Sequence, residues 1–150
     1  MYNRNFKTII LIAMLMMFGS VVKAQDLHLK AQVPFDFKLG ELTMPVGEYH
    51  LIRLTSNNGG VFRIKGENAL ALKNMMPTYN RKTMEQSLLV FNKYEGPGGE
   101  VSYFLTKIWV KGDTTGFYTS KSPAEKAAAA RAARRDVITL VVERVSRATE

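Results

Sequence analysis

From Leu27 to Leu39, apolar and polar residues alternate almost without interruption. Leu27, Leu29, Ala31, Val33, Phe35, Phe37 and Leu39 fall on one face, and His28, Lys30, Gln32, Asp36 and Lys38 on the other. A period of two belongs to a strand with one buried face, whereas a helix would scatter the same set around its axis. Such a strand must find partners, so the rest of the chain has to supply a sheet. Pro34 lies on the outward face and has no N–H to donate, which marks an edge, a bulge or a break.

The remainder supplies strands at hairpin spacing. Gly40 ends the first run, and Met44-Pro45-Val46-Gly47 reads as a tight turn. Strands are expected at 48–54, 61–65, 69–74, 87–94, 101–110 and 137–145. The segment Ser56-Asn57-Asn58-Gly59-Gly60 is a hairpin signal, because Asn and Gly tolerate positive φ. Gly66-Glu67-Asn68, Glu95-Gly96-Pro97-Gly98-Gly99 and 111–116 are further turns, and 77–86 is a polar loop without periodicity. Ser122-Pro123-Ala124-Glu125 has the form of a capping box with proline at the first helical position. Ser122 would accept from the Glu125 amide, and the Glu125 side chain would return to the Ser122 amide. The alanine-rich run that follows predicts a helix over about 123–135, ended by Asp136. The fold expected is mainly β: an antiparallel β-sandwich or partly closed β-barrel of about seven strands, with one C-terminal helix before a last buried strand. Phe35, Phe37, Leu89, Phe91, Leu105 and Trp109 are its expected core.

Ahead of this domain stands a segment of another kind. Arg4 and Lys7 precede the apolar run Thr8–Phe18, and Val22-Lys23-Ala24 fits a signal peptidase site. The apolar stretch is about 15 residues, shorter than the ~20 that span a bilayer. Residues 1–24 are therefore expected to be a cleaved signal peptide, with Gln25 the new N-terminus and 25–150 a single secreted or periplasmic domain. The tail 146–150 is expected to fray. The chain has no cysteine, which excludes disulfides, thiol catalysis, cysteine-based zinc sites and lipid attachment through a cysteine.

Val33-Pro34-Phe35-Asp36-Phe37 followed by Met44-Pro45-Val46-Gly47-Glu48-Tyr49 resembles the opening of a group of small secreted bacterial proteins, chiefly from Acidobacteria, whose pattern runs VPFxF then LPAGxY. Leu89-Val90-Phe91, Tyr94, Tyr103-Phe104-Leu105 and Trp109 are similar to its LVFxxYG and YFLxxxW segments, and Ser122, Ala124 and Glu125 to its SxAE helix start. The resemblance spans most of 25–150 in short motifs. Met44 and Val46 depart from its Leu and Ala, and Glu95–Gly99 lengthens its YG turn. It implies an exported, envelope-associated domain and brings no catalytic residues with it.

Chemistry-bearing patterns are sparse. The chain has two histidines, His28 and His50, each on an expected strand and neither in an HxH or HExxH spacing. They could meet across strands with Asp36 or Glu48, but surface histidine is the expectation, with no metal and no cofactor. No GxSxG nucleophile motif occurs, the SxxK spacing Ser20–Lys23 falls within the leader, and no glycine loop opens a helix to cradle phosphate. The charge concentration is Lys121, Lys126, Arg131, Arg134, Arg135, Arg144 and Arg147, within a chain of net charge +8. The helix is expected to display Lys126, Arg131, Arg134 and Arg135, a face that could meet an anionic envelope component such as lipid headgroups or polysaccharide. No nucleic-acid signature accompanies it. The expected function is a non-enzymatic exported domain that binds or scaffolds in the envelope. The alternatives are a carrier of a small apolar ligand inside the β core and a hydrolase with an unrecognised carboxylate pair.

Overall fold

The computed structural model describes residues 27–55 and 59–145. The leader and its cleavage site, the Ser56-Asn57-Asn58 part of the hairpin turn and the 146–150 tail lie outside them. The chain runs β1 (His28–Val33), β2 (Phe37–Leu39), β3 (Leu42–Met44), β4 (Gly47–Arg53), β5 (Gly60–Lys65), β6 (Leu70–Tyr79), β7 (Ser87–Glu95), β8 (Val101–Trp109), β9 (Thr115–Tyr118), α1 (Pro123–Arg131) and β10 (Arg134–Arg144). Among the described residues no helix is long and apolar enough to cross a membrane.

Eight of these strands close into an antiparallel barrel in the order β7-β10-β1-β4-β5-β6-β9-β8, with β8 pairing back to β7. Closure removes the exposed edges that an open sheet would have to protect. The fold is therefore a closed barrel with an added hairpin, not a sandwich and not a set of seven strands. The strand that completes the ring is β9, which pairs with β6 through Pro77↔Phe117 and with β8 through Ile108↔Phe117.

The expected first strand is two strands. After Val33 the ladder stops at Pro34, and the chain leaves the barrel, returning at Gly47, which pairs with Val33. The excursion is the β2–β3 hairpin. Its two-residue turn places Gly40 at φ +67°, a conformation that a Cβ would disfavour. Met44 thus ends a strand instead of starting a turn. Asp36 Oδ1 accepts from the Val46 amide at 2.7 Å and holds the two ends of the excursion together. Phe37, Leu39 and Met44 keep the inward side of the alternation and are buried in the main core. The hairpin touches the barrel wall through one parallel pairing, Lys38↔Phe104.

Inside the ring, Leu29, Val33, Leu51, Phe62, Ile64, Met75, Leu89, Phe91 and Ile108 fill the space between strands. Phe37 meets Tyr49 and Phe91 edge-on at 5.1 and 5.4 Å between ring centroids, and Phe62 packs on Phe117 at 5.0 Å. Phe35 is only partly buried, stacked on Tyr103 at 3.9 Å. The Tyr49 hydroxyl donates to the Pro45 carbonyl. Burial, aided by the Asp36 charge, raises the Tyr49 phenol above its ordinary range.

Three expectations give way to tertiary pairing. β6 runs on to Tyr79 through residues read as loop. Pro77 is tolerated because it lies past Met75, the last residue paired to β5 on that side. Trp109 is half-buried on the outer wall, not in the core. It covers Gly116, where a Cβ would stand 2.4 Å from the indole. β10 is not a buried strand either: its outward Val137 and Val141 are 64% and 62% exposed.

Candidate functional site

The helix is built from poor core material, so what seats it defines the surface around it. Its single buried residue is Glu125, 2% exposed. The carboxylate Oε1 accepts from Asn92 Nδ2 at 2.7 Å and from the Tyr94 hydroxyl at 2.9 Å. Asn92 and Tyr94 point outward from β7, and Tyr94 packs edge-on against Phe104 of β8 at 5.8 Å. Helix and outer wall thus share a small second core of two aromatics and one carboxylate. The capping box is half formed. The Ser122 hydroxyl accepts from the Glu125 amide at 3.1 Å, but the Glu125 side chain turns to the barrel wall instead of the Ser122 amide. Ser122 Oγ also donates to the Gly40 carbonyl at 3.2 Å, and Glu41 Oε1 accepts from the Ala124 amide at 3.2 Å, tying the helix start to the β2–β3 turn. Ser122→Ala is expected to cost roughly 1 kcal/mol through the orphaned amide, readable as a shifted denaturation midpoint at constant slope.

The helix stops at Arg131, four residues before the expected end. Ala132 is already extended, and the Ala133 amide donates to the Glu95 carbonyl at 2.9 Å, the first step of the β7–β10 ladder. Helix propensity in the Arg131–Arg135 run is outweighed by that pairing. The expected basic face is therefore divided. Lys126 and Arg131 are on the helix, and Arg134 and Arg135 are on β10, all exposed. Arg134 pairs with Asp136 at 3.1 Å, while Arg135 folds back to donate to the Ala129 carbonyl at 2.7 Å, where the negative end of the helix dipole favours a cation. Lys121 stands 5.8 Å from the Tyr94 ring. Between Lys121, Tyr94 and Arg135 lies an open groove of about 240 Å³ that also meets Asn92, Asp136 and Val137. Tyr94 stands out in the sequence through the resemblance, whereas Asn92 has no signal beyond its outward parity on β7.

A second groove, of about 480 Å³, lies on the outer face of β1, β4 and β5. Register Lys30↔His50 places His28 diagonally beside His50. The two histidines, expected as separate surface residues, are in contact, with His28 Nε2 and His50 Nδ1 2.9 Å apart. Glu48 lies 3.4 Å from the other nitrogen of His50 and 3.0 Å from Lys30 Nζ. The hydrogen bond from Lys30 is the main reason that the Glu48 carboxyl sits below its ordinary range; desolvation opposes it, and the Lys30 and His50 charges add to the lowering. Arg63, Lys65 and Glu67 complete the rim. Asp36, the other carboxylate considered for a histidine partner, instead caps the Val46 amide. No family model, curated protein or solved structure matches this chain.

Proposed function

We propose that this chain is an exported, non-enzymatic barrel domain that binds an anionic component of the cell envelope at the corner where α1 meets β10. One observation carries the reading. Between Thr114 and Arg135 all five cations, Lys121, Lys126, Arg131, Arg134 and Arg135, are exposed, while the segment's single acid, Glu125, is buried. Folding therefore hides the Glu125 charge; the neighbouring Asp136 offsets Arg134, and Lys121, Lys126, Arg131 and Arg135 keep the corner's surface net positive, so it attracts anions more strongly than its composition suggests. A barrel interior occupied by its own aromatic and aliphatic side chains favours a surface ligand over one carried inside. The apolar signal ahead of the domain and the resemblance to exported envelope proteins support the location.

The test is binding to vesicles rich in anionic lipid and, separately, to an acidic polysaccharide. Binding should be measurable at low salt and weaken steeply toward physiological ionic strength, where exposed charges are screened within about 8 Å. The charge reversal K126E/R131E should reduce it at least tenfold and leave the melting temperature unchanged, since both side chains are exposed. Which of the two surfaces responds identifies the partner. Absence of binding to either at low salt would reject the reading.

A further inference from the structure

We propose that His28 and His50 form a surface site for one divalent transition-metal ion of the imidazole-preferring class, with copper(II) the strongest binder. These are the chain's two histidines, and the fold brings both to one groove although 22 residues separate them. Their facing nitrogens are 2.9 Å apart. Metal–imidazole bonds of about 2.0–2.1 Å meeting at a right angle also set two ligand nitrogens about 2.9 Å apart. The two nitrogens now share a hydrogen bond, which the ion would replace: each ring turns by roughly 45° from the N···N line to aim its lone pair at a common point in the groove. Both residues sit on paired strands of a closed barrel, which fixes their Cα positions before any ion arrives.

The surroundings have the form of a metal second shell. Glu48 stands at His50 Nε2, the nitrogen away from His28. Accepting a hydrogen bond from Nε2–H leaves Nδ1 with its lone pair toward the groove, and such a carboxylate–histidine pair orients the ring and raises its basicity. Lys30 holds the Glu48 carboxylate at 3.0 Å, so the orienting group is itself held. Ligation by His28 through Nε2 requires the tautomer with its proton on Nδ1, and exchanges the His28–His50 hydrogen bond for two metal–nitrogen bonds. Among the described residues no three His, Cys, Asp or Glu groups converge on a metal position. The site therefore offers two protein donors and leaves the other positions to water or a ligand of the groove. Two imidazoles without a thiolate suit copper(II), which also stands highest in the divalent affinity order. Arg63 and Lys65 on the rim would draw an anion to the open positions.

The experiment is copper(II) titration of the chain purified without a histidine tag, read by isothermal calorimetry and by electron paramagnetic resonance. One ion per chain is expected, with splitting from two equivalent imidazole nitrogens and no dependence on protein concentration. His28→Ala and His50→Ala should each weaken binding at least tenfold and reduce the coordinated imidazoles to one, with the melting temperature checked for both. Glu48→Gln keeps both ligands, and should weaken binding about tenfold or more while retaining the two-nitrogen spectrum. A spectrum with fewer than two imidazoles in the wild type, or affinity unchanged in both alanine variants, would overturn the assignment. So would a two-nitrogen signal that appears only at high protein concentration, since the ion would then be bridging two chains.

Discussion

Phe37→Ala is expected to destabilise the domain by about 3–5 kcal/mol, the range for removing a buried aromatic ring and leaving a cavity. The size of the effect follows from where Phe37 sits. It is 2% exposed and belongs to the hairpin that leaves the barrel after β1 and returns at β4. A single parallel pairing joins that hairpin to β8, so backbone bonds do little to hold it. What holds it is apolar burial, with Phe37 wedged edge-on against Tyr49 and Phe91 and flanked in the same cluster by Leu39 and Met44. Alanine removes the ring from both aromatic contacts at once, and the rigid barrel wall cannot close over the gap. The midpoint of urea unfolding should fall with little change in slope. A variant that unfolds at the wild-type urea concentration would show that the hairpin is not part of the cooperative core. Phe37→Leu, which keeps most of the volume, should recover the larger share of the loss.

The alternation from Leu27 to Leu39 shows how much of this architecture is local. Its inward residues are buried as the period of two requires, Phe35 at the break only partly, even though the strand stops at Pro34 and the second half follows a different path. Burial is written in the side-chain pattern, but the path depends on which partner takes up each backbone bond. The same distinction explains why sandwich and barrel were equally open from sequence. The deciding element is β9, four residues long and begun by a threonine and a glycine, with no run of alternation to announce it. Its Phe117 pairs with both Pro77 and Ile108, and that double pairing closes the ring. β6 was truncated for a related reason. The stretch from Pro77 lacks periodicity, and only its pairing with β9 makes 77–79 a strand.

The candidate sites were legible in a similarly partial way. Lys126, Arg131, Arg134 and Arg135 form one basic corner, as their proximity in the chain suggests, but the Ala133–Glu95 bond moves the last two onto a strand. The meeting of His28 and His50 depends on the Lys30↔His50 register across a thirteen-residue excursion from Pro34 to Val46. Neither histidine carries a local spacing that reveals it. Glu125 was read as a helix cap from its position three residues after Ser122, a purely local rule. The tertiary environment offered its carboxylate two better donors, and the local rule lost.

That competition sets the second large effect. Glu125→Ala is expected to cost roughly 3 kcal/mol, more than the Ser122 cap, because the loss extends beyond the helix end. Hydrogen bonds to a buried charged group contribute about 1.5–3 kcal/mol, and Glu125 Oε1 accepts two, from Asn92 and Tyr94. Removing it leaves the Asn92 amide and the Tyr94 hydroxyl only their long mutual hydrogen bond of 3.4 Å, beneath a helix with no other buried residue to hold it down. The helix should then lift from the wall, uncovering Tyr94 and Phe104, while the barrel interior on the far side of the sheet stays packed. Hydrogen exchange distinguishes this from global weakening. In Glu125→Ala, protection should fall first across 122–133 and at the β7 end near Glu95, with β1, β4 and β5 keeping wild-type rates at denaturant-free conditions. Glu125→Gln retains acceptor and shape but not charge, and should fall between wild type and alanine. If alanine and glutamine variants both exchange like wild type over 122–133, the helix is held by its ties to Gly40 and Glu41 alone. The buried carboxylate would then have no share in seating it.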